Sequence, residues 1–110
     1  VVDQTIGATA YVYNSDRNLK TNIKTIDNPL EKITRLRGVY FNWKRDNTKG
    51  VGLIAQEVEK VFPELVKGEE GNKGVEYGNL VAPLIEAIKE QQKQIEDLNA
   101  RIKKLEALIP

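Results

Sequence analysis

The amino-acid sequence predicts an α+β fold, in which a small mixed globular part of short strands and helices precedes a long C-terminal helix that forms a parallel coiled coil. The first observation is a heptad repeat of apolar residues in the last third of the chain. The second is a succession of β-prone runs, turn residues and short helical patterns before it. The third is a charged fraction of 30% in 110 residues, which is high for a compact monomer and suits a long solvated helix.

Residues 1–14 are predicted to form an extended arm. Within it, residues 9–13 (TAYVY) are β-prone and weakly alternating. A lone strand is unstable in water, so the arm needs a partner strand. It is either an ordinary edge strand or the end of an upstream β-rich stalk. Because the first residue is Val1 rather than Met, we expect a piece of a longer polypeptide, with a globular part over residues 15–79 and the coiled-coil helix over 80–110.

The next segment predicts a short helix followed by a β-hairpin. Asp27 or Asn28 can cap the free amides at the helix start, and Pro29 suits the first helical position. We expect this helix to end at Gly38, and the apolar side chains that share its inner face are Leu30, Ile33 and Leu36. The hairpin is then built from two strands and a turn rich in Asp, Asn and Gly, over residues 39–43, 51–54 and 45–50 respectively.

A second short helix is predicted over residues 55–62, with Val58, Val61 and Phe62 on its apolar face. Pro63 stops this helix because its ring cannot be accommodated in a helix interior. A charged turn over residues 68–74 leads into a short strand or extended link over residues 75–77.

From about Leu80 the sequence predicts one long helix of about 45 Å, at about 1.5 Å per residue. Its core positions alternate in steps of four and three, which is typical of a seam between helices. The predicted seam consists of Leu84, Ile88, Gln91, Ile95, Leu98, Ile102, Leu105 and Ile109. The alternative is an amphipathic helix lying on its own globular part, but the narrow stripe favours association with other helices.

The heptads do not settle how many helices associate. Ile at one core position and Leu at the other favours two strands, so propensity alone predicts a dimer. The polar Gln91 in the seam costs stability, and it could fix the register or the strand number. Arg101 and Glu106 lie where neighbouring chains of a parallel coil can pair them.

Composition excludes several classes of function. The net charge is +1, from 17 basic and 16 acidic residues, so nothing points to nucleic acid or to an anionic membrane surface as a partner. The chain has no cysteine and no histidine, which excludes disulfides, thiolate or imidazole metal sites, cysteine nucleophiles and Ser-His-Asp triads. No apolar run reaches the roughly 20 residues that span a bilayer, and no cofactor motif is present.

Ser15 is the single serine of the chain and the one candidate nucleophile. Without histidine or cysteine, a lysine such as Lys20 is one of the few plausible bases, and it would have to be neutral. Burial lowers the pKa of a lysine, and Leu19, Ile23 or another chain of an oligomer could provide the apolar surroundings. The plainer interpretation makes Ser15 a turn or cap residue and Lys20 a solvated charge.

An ordered series of motifs gives this segment a specific resemblance. Ser15 and Asp16 are followed by Lys20 and Ile23 at fixed intervals, and further matches lie at residues 41–44 (FNWK), 51–58 (VGLIAQEV), 61–66 (VFPELV) and 77–88 (YGNLVAPLIEAI). The chain resembles the peptidase S74 family, the intramolecular chaperone domain of endosialidases and of other phage tail spikes, tail fibres and neck appendages. The resemblance covers residues 15 to about 109.

The resemblance implies a homotrimer, which replaces the dimer that propensity favours. It implies a C-terminal chaperone that assembles the upstream β-rich stalk of its own polypeptide, a virion protein precursor made in the host cytoplasm. The resemblance further implies that the chaperone then cuts itself off as a single-turnover serine peptidase, with Ser15 as nucleophile and Lys20 as general base, and is released. The implied bond is Ser15–Asp16, although an N-to-O acyl shift would instead break Asn14–Ser15.

Two other interpretations remain open at this point. The chain could be a non-catalytic trimerisation module in which Ser15 and Lys20 are structural, or a coiled-coil adaptor unrelated to phage fibres. The same family also includes eukaryotic membrane-bound transcription factors, but the short segment after the heptads fits a phage protein better.

Overall fold

The computed structural model describes residues 5–110 and confirms the predicted α+β class. Residues 1–4 of the predicted arm lie outside the described residues. The described chain has principal extents of 72 × 41 × 30 Å. Its helices and strands are α1 (Pro29–Thr34), β1 (Val39–Asn42), β2 (Lys49–Gly52), α2 (Ala55–Val61), β3 (Val66–Lys67), β4 (Gly74–Val75) and α3 (Val81–Glu106), and its 3₁₀ turns are Arg17–Leu19, Pro63–Leu65 and Tyr77–Leu80.

The strand expected at residues 9–13 does not form in the described part of the chain. Residues 5–14 are exposed throughout and belong to neither a helix nor a strand. A strand is stable only when its amides and carbonyls pair with those of a neighbouring strand, and within the described part of a single chain residues 9–13 are not paired in a sheet. A local contact remains, in which the Tyr11 hydroxyl donates to the Ile6 carbonyl at 3.0 Å.

Helix α1 begins at Pro29, as predicted, but its caps differ from the prediction. Asn28 has a left-handed backbone and makes no side-chain cap, while Asp27 accepts from Lys32 Nζ at 3.1 Å instead. The helix ends at Thr34, earlier than the expected end at Gly38. The Leu36 amide bonds the Ile33 carbonyl at 3.0 Å, so a tighter turn replaces the last helical turn and still places Leu36 against the core.

Strands β1 and β2 form the predicted antiparallel hairpin, with Phe41 opposite Gly50 and Tyr40 opposite Val51. A Cβ at Gly50 would lie 2.6 Å from the Phe41 ring, so glycine makes room for the aromatic side chain. The first strand ends one residue earlier than predicted, at Asn42, and the second begins two residues earlier, at Lys49, within the expected turn. Residues 53 and 54, expected in the second strand, lie outside it because the chain already turns into α2 there.

The core lies between α2, the small β3–β4 hairpin and the start of α3. Its contiguous cluster of buried side chains consists of Val58, Phe62, Val66 and Leu80, and α1 packs against α3 beside them. Helix α2 ends at Val61, one residue before the predicted end, and Pro63 opens a 3₁₀ turn. The strand expected over residues 75–77 is displaced to Gly74–Val75, because residues 77–80 wind into the turn that leads to α3.

Helix α3 has 26 residues, which corresponds to about 39 Å. Pro83 and Ala87 are buried on one side of its first turns. The predicted seam lies on another side, and its apolar residues are exposed, from 43% at Leu84 to 71% at Ile109. Ile109, expected in the seam, lies beyond the helix, where the Leu108 and Ile109 amides bond carbonyls three residues earlier in a closing turn.

Candidate functional site

The structure brings Ser15 and Lys20 into direct contact. Lys20 Nζ donates to Ser15 Oγ at 2.7 Å. The backbone achieves this through the 3₁₀ turn Arg17–Leu19, whose cap is Asp16. The Asn18 amide donates to Asp16 Oδ1 at 2.8 Å, and this cap fixes the turn that returns Lys20 to the serine.

This contact is the arrangement that proton transfer from a hydroxyl to an amine requires. A lysine can accept that proton only when it is neutral, and burial is what favours the neutral form. In the described chain Ser15 and Lys20 are exposed, and so are Leu19 at 70% and Ile23 at 60%. The apolar cover that we expected from Leu19 and Ile23 is therefore not formed within one chain.

Ser15 and Lys20 open onto a cleft that belongs to two parts of the chain. One wall is the segment Tyr13, Asn14, Ser15 and Lys20. The other runs from β4 through the 3₁₀ turn Tyr77–Leu80 to Val81 and Ala82 in the first turn of α3. Val81 lies seven residues before Ile88 and so takes the equivalent heptad position, which places the cleft next to the N-terminal end of the predicted seam.

The far wall of the cleft is tied to the globular core by hydrogen bonds. The Leu53 amide donates to Tyr77 Oη at 2.8 Å, which links the wall to the segment before α2. Asn79 Nδ2 donates to Glu76 Oε2 at 2.7 Å, which braces the same turn. Gly78 lies between Tyr77 and Asn79, and a Cβ there would overlap the Tyr13 ring and its hydroxyl.

The sequence did not single out Tyr13, Tyr77, Gly78 and Asn79 as parts of the site. Residues 77–79 entered the motif series, but no spacing rule linked them to a serine more than 60 positions earlier. The usable signal was a glycine inside the turn that starts a helix, where it weakens the helix unless another group approaches closely.

Ion pairs hold the globular body behind the cleft. Arg37 makes two hydrogen bonds of 2.9 Å to the Glu57 carboxylate, and these bonds hold the pKa of Glu57 below its ordinary value. Lys73 Nζ donates to Glu59 Oε1 at 2.6 Å, which raises the pKa of Lys73 and fastens the β3–β4 hairpin to α2. Both pairs connect α2 to a neighbouring segment.

Residues 5–110 present neither an acidic metal-binding cluster nor a membrane-spanning helix. That part of the chain contains no cluster of three or more acidic residues that could hold a metal ion. None of its helices is both long enough and apolar enough to cross a membrane.

Comparison with known families gives this geometry its context. Residues 15–67, which begin at the candidate nucleophile, match the family model described as peptidase S74, chaperone of endosialidase. Over these residues the chain belongs to the peptidase S74 family. The match confirms the resemblance that the sequence motifs predicted.

Relatives of the chain are phage long tail fibre proteins. It is 35% identical over 108 residues to the long tail fiber protein Gp37 of Salmonella phage S16, an alignment that covers 87% of this chain and 14% of that protein. The identity is 34% to the same-named protein of Enterobacteria phage T2, over 93% of this chain and 8% of that protein. The identity is 38% to the same-named protein of Enterobacteria phage M1, over 76% of this chain and 38% of that protein. The chain thus spans a small part of the relatives it matches.

Proposed function

We propose that the chain is the intramolecular chaperone of a phage tail fibre. It assembles the upstream β-rich stalk of its own polypeptide, the shaft of the fibre, as a homotrimer and then cuts itself off at Ser15. Family membership supports the chaperone role, and the names of the relatives support the tail fibre. The observation that carries the cleavage is the 2.7 Å hydrogen bond between Lys20 Nζ and Ser15 Oγ.

The chaperone role follows from the physics of fibre assembly. Long-range β pairing must lose chain entropy before its contacts form, so three shaft chains register slowly unaided. A trimeric coil formed by α3 would hold the three chains together and raise their effective concentration. After cleavage the coil is no longer joined to the shaft, so it cannot hold unfolded shaft chains together again. The lifetime of the folded fibre is then set by its unfolding rate.

In the proposed reaction, a neutral Lys20 amine takes the proton from Ser15 Oγ as that oxygen attacks a peptide carbonyl carbon. The C–N bond of that peptide breaks, and the leaving nitrogen takes the proton back from the Lys20 ammonium. Water then hydrolyses the resulting ester, which restores the serine hydroxyl and leaves a carboxylate on the upstream fragment. One water is consumed, and no metal or redox partner is required.

The resemblance implies the bond Ser15–Asp16, and we retain it as the proposed site. Attack by Oγ on the carbonyl of the same residue closes a strained four-membered ring. Attack on the carbonyl of Asn14 closes a five-membered ring and breaks Asn14–Ser15 instead. The two routes differ by one serine residue in the mass of each fragment, so intact mass separates them.

Assembly would complete the site. In one chain the Ser15 and Lys20 side chains are exposed, while the adjoining seam is apolar and open. A second copy packed on that seam would lie beside Val81 at the edge of the cleft and would exclude water from it. Burial would then favour the neutral lysine.

The remaining assignments follow from the same proposal. Residues 1–14 would end the shaft, residues 15–79 would be the chaperone body, and residues 80–110 would form the coil. The parent polypeptide would be made in the host cytoplasm and become a virion component, while the cut chaperone is released. Its partners would be its own copies and its own shaft, without nucleic acid, membrane or cofactor.

A non-catalytic trimerisation module is the second candidate, and the exposure of Ser15 and Lys20 in one chain favours it. In that case the hydrogen bond between them is only a brace for the 3₁₀ turn. A coiled-coil adaptor would differ from both candidates because residues 15–78 would be dispensable for assembly.

The deciding experiment records the intact mass of the chain expressed behind the proposed shaft. Wild type should split at Ser15, whereas Ser15→Ala and Lys20→Ala should stay whole and still form trimers. Lys24→Ala, a lysine substitution in the same junction, is the matched control and should split like wild type. A wild-type chain that trimerises but remains whole would leave the trimerisation module as the function.

A further inference from the structure

We propose that Tyr13 is a positioning residue for the cleavage, because its ring docks on Gly78 and holds the chain on the upstream side of Ser15. The inference rests on the self-cleavage proposed above. It assigns a role to two residues that lie outside the nucleophile and base pair.

The two sides of Ser15 are held in different ways. On the downstream side, the Asp16 cap and the turn Arg17–Leu19 fix the backbone. On the upstream side, residues 5–14 form no helix or strand that could fix it. Both candidate carbonyls, those of Asn14 and Ser15, belong to the upstream fragment and need a defined place relative to Oγ, so an anchor just before Ser15 would serve either route.

The Tyr13 ring supplies such an anchor. Tyr13 lines the same cleft as Ser15 and Lys20, and it lies directly against the backbone of Gly78 on the opposite wall. A Cβ on Gly78 would lie 2.7 and 2.8 Å from two ring carbons of Tyr13, distances that real Cβ contacts do not show. The contact therefore spans the cleft and joins the upstream arm to the start of α3.

Close approach is the reason for glycine at position 78. Among the described glycines, the positive backbone angles belong to Gly68 and Gly71, so Gly78 is not needed for an unusual φ. It also lies in a helical turn, where glycine costs stability relative to alanine. The space that glycine leaves is the space that the Tyr13 ring occupies.

The wall that receives Tyr13 is itself rigidly placed. Tyr77 accepts from the Leu53 amide at 2.8 Å, and Asn79 donates to the Glu76 carboxylate at 2.7 Å. The Glu76 amide in turn donates to the Leu65 carbonyl at 2.8 Å, so the turn that contains Gly78 is tied to the body on both sides. The docked ring thereby fixes Tyr13, the residue before Asn14, relative to the globular body. A displacement of about 1 Å at a reacting group can cost about 100-fold in rate.

The test is a time course of cleavage, followed by intact mass, in the chain that carries its proposed shaft. Gly78→Ala and Tyr13→Ala should each slow cleavage by about 10- to 100-fold. In the Gly78→Ala background, Tyr13→Ala should add no further loss, because the contact is already broken. Tyr13→Phe keeps the ring and should cut at the wild-type rate.

Matched controls separate positioning from folding. Gly74→Ala places a Cβ in open space and Tyr40→Ala removes an 89% exposed tyrosine, so both should cut like wild type. Every variant should keep the trimer mass and the melting temperature, since a merely structural role would move those and not the rate alone.

Three outcomes would overturn the inference. In the first, Gly78→Ala cuts at the wild-type rate while Ser15→Ala does not cut, so the inference fails and the self-cleavage stands. In the second, the slow variants also lose trimer or melting temperature in proportion, which makes the contact structural. In the third, wild type itself stays whole, and then the proposed function fails together with the inference.

Discussion

The two halves of α3 carry one heptad pattern but have different surroundings. Over residues 81–90 the helix buries Pro83 and Ala87 and packs beside α1, so its apolar neighbours come from its own chain. Over residues 91–106 every residue is exposed, including Ile95 at 51% and Ile102 at 49%. The second half therefore has apolar residues at heptad spacing, which favours burial, yet none of them is buried within one chain.

This difference separates folding from assembly along a single helix. An isolated helix of this length is marginal in water, because nucleation is costly and propagation gains little per residue. The first half is stabilised by the core, whereas the second half needs other helices on its seam. Substitutions in the two halves should accordingly damage different properties of the protein.

The largest effect is expected from charges in the open half of the seam. The pair Ile95→Asp and Ile102→Asp should convert the proposed trimer to a monomer, because buried carboxylates in a coiled-coil core have no partners. Light scattering measures the mass, and circular dichroism should show loss of helix. The control pair is Lys93→Asp with Ala100→Asp. These two residues lie on the opposite face of the helix, so the proposed trimer should remain intact. A trimer that survives the seam charges would show that another surface holds the copies together.

A smaller but still large effect is expected in the core of the globular part. Phe62 is 6% exposed, and Phe62→Ala should lower the free energy of unfolding by about 3–5 kcal/mol. Denaturant unfolding followed by Trp43 fluorescence measures it. Tyr40→Ala, at an 89% exposed position, should change stability by less than about 0.5 kcal/mol. Equal losses in both variants would contradict the assignment of the core.

The features that the sequence predicted well are those set by local chemistry and periodicity. Pro29 fixed the start of α1, the turn residues marked the β1–β2 hairpin, and the three-four repeat marked α3. The Ser15–Lys20 contact also follows from a short spacing, since a single capped turn connects the two residues.

What the sequence could not predict depends on groups far apart in the chain. Helix α1 ends at Thr34 and not at the predicted Gly38, because a tighter turn follows it and places Leu36 against the core. The contact of Tyr13 with Gly78 joins an arm to a distant turn, and no periodicity reports it. The strand number of the coil depends on partner chains, so propensity and family resemblance gave different answers.

The smallest predicted effect tests whether the body behind the cleft is held by charge. The bidentate bond from Arg37 lowers the pKa of Glu57 below its ordinary value of 4.5, so the carboxylate is favoured in the folded state. The stabilisation is therefore complete above that ordinary value and is lost as pH falls through the lower pKa of the folded state. Both side chains are partly exposed, so the effect is small and is screened by salt.

Melting temperatures of wild type and Glu57→Gln, compared from neutral to acidic pH, measure this contribution. Wild type should melt higher at neutral pH, and the difference should vanish in acid, where Glu57 is protonated in both states. Glu69→Gln, at an exposed position in the β3–β4 turn, is the control and should follow wild type across the range. A difference that stays constant with pH would assign the loss to packing of the Glu57 side chain, and the body would then be held by its apolar core alone.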